Sequence, residues 1–134
     1  MTFFLDTSAL LALFDSTDAH HQWAVGEIEK LRADGPAIVC DIVYCEASVG
    51  MQSTEELDEA LRALGIERIA ESDTALFRAG RAFKEYKHVN RGPKNGVMPD
   101  FLIGAVAEDN GTALLTSNHR DFQKYFPNVV VIHP

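Results

Sequence analysis

The sequence has no apolar run of the roughly 20 residues that a membrane-spanning helix needs, and its start lacks the charged-then-apolar pattern of a secretory signal. It also has only two cysteines, Cys40 and Cys45. Two are too few for a four-cysteine zinc site or a disulfide framework. We therefore expect two buried free thiols in a reducing compartment, and a cytoplasmic protein with no membrane partner.

Basic residues are also fewer than acidic residues. Twelve Lys and Arg stand against 20 Asp and Glu, which gives a net charge of −8. This balance excludes a protein that coats nucleic acid through a broad basic face, but not a nuclease whose acids hold a metal. The 134 residues suffice for one core, and neither a repeat nor a linker divides them. We predict a single domain over residues 1–134.

Short apolar runs alternate with segments of helical periodicity. The runs cover residues 2–5, 37–40, 113–115 and 129–132, and residues 66–69 suit a short edge strand. Continuous apolar runs of strand length are typical of strands that are covered on both faces, as in a parallel sheet. The alternation with helices therefore predicts an α/β domain with a central parallel β-sheet.

Three aspartates lie where such a sheet places its working groups, just beyond the carboxyl ends of the strands. Asp6 follows the first run, Asp121 opens the helix after the run at 113–115, and Asp100 opens a strongly apolar helix. The alternative is plain capping, because Asp is favoured at helix N-termini. Asp6 and Asp121 are expected at the same edge of the sheet.

Glu46 is expected on the apolar face of a helix that follows Asp41, between Ile42 and Val49. A carboxylate that faces the core is costly unless it meets a cation or hydrogen-bond donors, so the alternative is a Glu at the rim that reaches water. Four converging acids would repel one another without a metal. A divalent cation removes the conflict, and oxygen ligands favour Mg²⁺, with Mn²⁺ as the other choice.

Four segments carry a resemblance that covers essentially the whole chain: residues 4–10 (FLDTSAL), Glu46 after the second strand, residues 99–105 (PDFLIGA) and residues 115–122 (LTSNHRDF). In order and spacing they resemble the motifs of PIN-domain nucleases, most closely the VapC-type toxins of bacterial toxin–antitoxin pairs. One departure concerns the fourth acid, which varies in that family between the positions of Asn118 and Asp121. Because Asn118 is an amide, we assign the charge to Asp121.

The resemblance implies a three-layer α/β/α sandwich and Mg²⁺-dependent cleavage of RNA, often tRNA or rRNA. It also implies a cognate antitoxin and a homodimer, and the apolar surplus on the helices at 53–64 and 76–86 favours the homodimer too. The acids Asp6, Glu46, Asp100 and Asp121 would hold one or two ions, which is the catalytic site of the family. Supporting oxygens would come from Ser8, Thr116 and Asn118, of which Ser8 and Thr116 are expected to hydrogen-bond the carboxylates.

Two other functions are compatible with the same residues. A PIN-fold module that binds protein partners without catalysis would be favoured if acids were missing, but all four are present. A phosphatase-type domain would use Asp6 as a nucleophile; that chemistry usually has a second Asp two residues on, where Ser8 stands. For RNA binding, Arg91 and Lys94 in the segment before Asp100 are candidate phosphate contacts, against the alternative of ordinary solvated charges.

Overall fold

Strands and helices alternate along the chain, as the sequence pattern predicts. The computed structural model describes residues 2–89 and 98–134, and these ranges hold five strands and seven helices. None of these helices is both long and apolar enough to cross a membrane. The strands are β1 (Phe3–Leu5), β2 (Ala37–Cys40), β3 (Ile66–Ile69), β4 (Ala113–Leu115) and β5 (Val131–Ile132). The helices are α1 (Thr7–Phe14), α2 (His21–Leu31), α3 (Asp41–Ser48), α4 (Thr54–Ala63), α5 (Asp73–Val89), α6 (Met98–Asp109) and α7 (Arg120–Tyr125).

The five strands form one parallel sheet in the order β3-β2-β1-β4-β5. β1 is central, with Phe4 aligned to Ile38 of β2 on one side and to Leu114 of β4 on the other. Every residue of β1 and β2 is buried, which explains why their sequences are continuously apolar. The predicted α/β/α sandwich with a central parallel sheet is confirmed, and residues 66–69 form an edge strand.

The last strand is shorter than predicted. The apolar run at 129–132 predicts a four-residue strand, but β5 contains only Val131 and Ile132. The amide of Val129 instead donates to the carbonyl of Phe126, closing a turn directly after α7. The Val130 carbonyl accepts from Leu114, while its side chain is 66% exposed. The turn therefore takes the first half of the run out of the strand.

Aromatic packing fixes the position of α6 against its neighbours. The ring of Phe101 lies 5.5 Å from Tyr86 of α5, 5.1 Å from Tyr125 of α7 and 6.2 Å from Phe126, measured between ring centroids. One turn further along α6, Gly104 lies against the Phe126 ring, leaving no room for a side chain. The start of α6 is thereby held between α5 and α7.

The two cysteines differ in their surroundings. Cys40 at the end of β2 is buried, and burial raises the pKa of its thiol to about 12. Cys45 on α3 is exposed. The prediction of two buried free thiols is therefore right for Cys40 and wrong for Cys45, because α3 turns Cys45 away from the residues that it packs against the sheet.

Candidate metal centre

Asp6 lies directly beyond the carboxyl end of β1 and is only 3% exposed. Its Oδ1 accepts hydrogen bonds from the backbone amide of Ala9 at 2.8 Å and from Ser8 Oγ at 2.7 Å. Its Oδ2 accepts from the hydroxyl of Thr116. The bond from Ala9 makes Asp6 the N-cap of α1. The capping alternative is therefore correct for Oδ1, but it does not account for the bond that Oδ2 makes.

Opposing influences act on the charge of Asp6. Burial raises the pKa of its carboxyl, whereas the hydrogen bonds from Thr116, Ala9 and Ser8 act in the lowering direction. The negative charge of Glu46 adds to the rise. The balance leaves the pKa of Asp6 above its ordinary value.

The segment after β4 supports Asp6 from the adjacent strand. The Thr116 amide donates to the carbonyl of Ile132, and its hydroxyl donates to Asp6. Ser8 Oγ accepts from the amide of Ser117 at 3.1 Å, while Thr116 Oγ1 accepts from the amide of Asn118 at 2.9 Å. Asn118 therefore joins this network through its backbone, and its side chain is exposed.

Glu46 accepts a hydrogen bond from a hydroxyl group that the sequence analysis does not predict as part of the site. Thr7 Oγ1 donates to Glu46 Oε1 at 2.6 Å, although the residues are 39 positions apart in the chain. Thr7 directly follows Asp6, so the same turn at the end of β1 contributes to both carboxylates. The only sequence signal for this contact is a hydroxyl residue at the carboxyl end of a strand.

The predicted apolar face of α3 is partly wrong. Val43 and Ala47 are the buried residues of this helix, whereas Cys45 is exposed and Val49 lies beyond the helix end, 88% exposed. Glu46 is half-buried at the rim of the packed stripe. The error arises because α3 has only eight residues, and its periodicity alone does not distinguish two adjacent stripes.

Asp100 and Asp121 occupy the first turns of α6 and α7. Both are half-buried. Burial is the largest of the influences that together raise the pKa of Asp100 to about 7, and the negative charges of Asp6, Glu46 and Asp121 supply the rest. The electrostatics therefore couple Asp100 to all three other acids that the sequence selects.

The oxygen donors of this cluster fit a hard divalent cation. Neighbouring carboxylates repel one another when ionised, and a bound cation removes that repulsion. Oxygen ligands suit Mg²⁺ or Mn²⁺. Among residues 2–89 and 98–134, however, no three His, Cys, Asp or Glu side chains already stand in the spacing of a metal cage. The cluster is thus an acidic centre with donors of the right chemistry rather than a closed coordination shell. Arg91 and Lys94, the candidate phosphate contacts, lie outside the described residues.

The structure thus defines one class of site, which is a group of acidic residues at the carboxyl edge of the parallel sheet in an α/β/α sandwich. The family model of the PIN domain matches residues 3–126. The chain belongs to the PIN domain family, as the sequence motifs indicate. A search of curated proteins gives no match.

Several solved structures share this fold. VapBC2 from Rickettsia felis, bound to a promoter DNA fragment, has a TM-score of 0.75 at 20% identity, covering 99% of this chain and 98% of that one. A toxin–antitoxin complex from Klebsiella pneumoniae has a TM-score of 0.65 at 28% identity, covering 95% and 94%. VapC20 from Mycobacterium tuberculosis, a toxin that cleaves the sarcin–ricin loop, has a TM-score of 0.62 at 18% identity, covering 98% and 99%. The fold is therefore that of VapC-type toxins.

Proposed function

We propose that this PIN-domain chain is a metal-dependent endoribonuclease and the toxin of a toxin–antitoxin pair. The observation that carries the proposal is the pair of carboxylates held at the end of β1, where Thr116 hydrogen-bonds Asp6 and Thr7 hydrogen-bonds Glu46. The charges of Asp6, Glu46 and Asp121, which all raise the pKa of Asp100, agree with a group of four acids. Membership of the PIN family and a fold shared with toxin structures support the same function.

The four acids would hold Mg²⁺ or Mn²⁺, while neighbouring hydroxyl groups orient two of them. When bound, the ion supplies a Lewis acid that lowers the pKa of water and stabilises negative charge on the phosphate. The hydroxyls of Ser8 and Thr116 hold the two oxygens of Asp6. The hydroxyl of Thr7 holds one oxygen of Glu46.

The Glu46→Gln variant tests this function against the phosphatase alternative. Because Gln removes a charged oxygen ligand at nearly constant shape, we expect Mg²⁺-dependent RNA cleavage to fall about 100-fold or more. Cleavage of a labelled RNA is followed across a Mg²⁺ titration. The control is Glu59→Gln, which removes the same charge from an exposed position on α4 and should cleave like the parent.

The alternatives give other patterns in the same assay. A phosphatase that uses Asp6 as its nucleophile would lose activity on Asp6→Asn but would depend little on Glu46. A non-catalytic interaction module would show no Mg²⁺-dependent cleavage in any of these proteins. Full cleavage by Glu46→Gln would contradict the four-acid centre.

The proposed partners are an RNA substrate of the tRNA or rRNA class and a cognate antitoxin. The Rickettsia felis and Klebsiella pneumoniae structures are a VapBC pair and a toxin–antitoxin complex, and VapC20 cleaves the sarcin–ricin loop. We keep Arg91 and Lys94 as proposed phosphate contacts on sequence grounds. They precede Asp100 closely in the chain, and a protein of net charge −8 needs local bases to hold RNA.

A homodimer is also proposed, with the start of α5 as its face. The prediction that α4 carries surplus apolar residues for a dimer contact is wrong, because Leu57 and Leu61 are both buried in the core. On α5, by contrast, Leu76 is 46% and Phe77 66% exposed. Leu76 also borders a shallow pocket of about 300 Å³. The rest of its lining consists of two apolar side chains, one thiol and two carboxylates: Ile42, Leu102, Cys45, Asp41 and Glu71.

The Phe77→Lys variant tests this face. A charge in the middle of a small apolar contact should weaken self-association about tenfold or more, measured by sedimentation at micromolar concentration. The control is Val130→Lys, which adds the same charge at an equally exposed apolar residue elsewhere. A parent protein that sediments as a monomer, or a Phe77→Lys protein that stays dimeric, would contradict the proposed interface.

A further inference from the structure

Two histidines form a stacked pair that the acidic centre does not use. The rings of His119 and His133 lie 3.8 Å apart between centroids, with planes only 16° from parallel. His119 is the N-cap residue of α7 and is half-buried, while His133 directly follows β5 and is exposed. Two flat rings are thus held face to face at the protein surface.

The pair belongs to the same edge of the sheet as the acids. β1, β4 and β5 are parallel, so Asp6, Thr116 and His133 each follow the carboxyl end of a strand. Thr116 donates through its hydroxyl to Asp6 and through its amide to the carbonyl of Ile132, at 3.0 Å for the amide. His133 is the next residue after Ile132. One threonine therefore connects the buried carboxylate to the strand end that carries the ring.

We propose that the His119–His133 pair is a platform on which an unpaired base of the RNA substrate stacks. The proposal rests on the proposed ribonuclease function. An acidic edge repels phosphates, so RNA that lies there gains from a contact that does not depend on its charge. Stacking on aromatic rings supplies such a contact, and it is how proteins commonly hold the exposed bases of single-stranded RNA.

The test measures binding of a fluorescein-labelled, single-stranded RNA of mixed sequence by anisotropy. All proteins carry Asp100→Asn as a common background, so that the RNA is not cut. His133→Ala should weaken binding about tenfold, and His133→Phe, which keeps a flat ring, should bind within about twofold of the background. The control is His20→Ala, which removes a histidine that also has an aromatic neighbour, Trp23. His20 lies beyond the C-terminal end of α1, whereas Asp6 caps the N-terminal end of that helix.

A second arm leaves the protein intact and changes the RNA. A probe with abasic nucleotides throughout should bind more weakly to the His133-containing background and should abolish the difference from His133→Ala. If His133→Ala binds like the background, or His133→Phe is as weak as His133→Ala, the platform is wrong and the pair only fastens the strand end to α7. If the wild-type protein does not cleave RNA with Mg²⁺, the ribonuclease function fails and the platform with it.

Discussion

Asp100→Asn should lower Mg²⁺-dependent RNA cleavage by about 1,000-fold or more. The substitution removes one charged oxygen ligand from the first turn of α6 while keeping the shape of the side chain. Asp100 is the acid whose pKa the charges of Asp6, Glu46 and Asp121 all raise. Initial rates on a labelled RNA at saturating Mg²⁺ measure the loss.

The matched control is Asp109→Asn, at the opposite end of the same helix. Asp109 is exposed and accepts a hydrogen bond from Ser72, far from the acidic centre in the fold. This variant loses the same formal charge from the same helix and should cleave RNA like the parent. An Asp100→Asn protein that remains active in Mg²⁺ would refute the four-acid model.

The same variant should change how the stability of the metal-free protein depends on pH. The pKa of Asp100 is raised from an ordinary 3.8 to about 7 in the folded state, so between these values the folded protein binds the proton more tightly than the unfolded chain. The contribution of Asp100 to the free energy of unfolding therefore falls as pH rises from about 4 through 7. Asn has no such titration, so thermal unfolding in EDTA should show Asp100→Asn gaining on the parent from pH 5 to pH 8.

Gly104→Ala should destabilise the protein by about 2–3 kcal/mol, or roughly 10 °C in melting temperature. A Cβ at this position would lie 2.5 Å from Cδ2 of Phe126, well inside van der Waals contact. The ring is buried and packs on Phe101, so it cannot simply rotate into solvent. Thermal unfolding followed by circular dichroism gives the size of the loss.

Gly80→Ala is the matched control for that substitution. Gly80 is also within a helix, and a Cβ there meets nothing within 4 Å. Because Ala is the better helix former, this variant should gain about 0.5–1 kcal/mol. A loss of stability at both positions would indicate that the close contact with Phe126 is not the cause. Gly104→Ala should also reduce cleavage in the native state, because the displaced helix carries Asp100.

The features that sequence alone predicts are those set by local pattern. The end of β1, the cap at Asp6 and the first turns that carry Asp100 and Asp121 follow from apolar runs and helix starts. The bond from Thr7 to Glu46 does not, since it joins residues 39 positions apart. The stack of His119 on His133 likewise depends on β5 pairing beside β4, which leaves no periodic signal in either segment.

The strand order has a consequence for how this domain can change without losing its chemistry. From β1 the chain proceeds to β2 on one side, and from β4 it proceeds to β5 on the other. In open parallel sheets, connections that diverge in this way place the ligand-binding crevice at the carboxyl ends of the two strands between which they diverge, here β1 and β4. Asp6 and Thr116 directly follow these two strands and are hydrogen-bonded to each other. Insertions in the connections at the outer strands would thus reshape the rim that a substrate meets while the buried carboxylate keeps its hydrogen bonds.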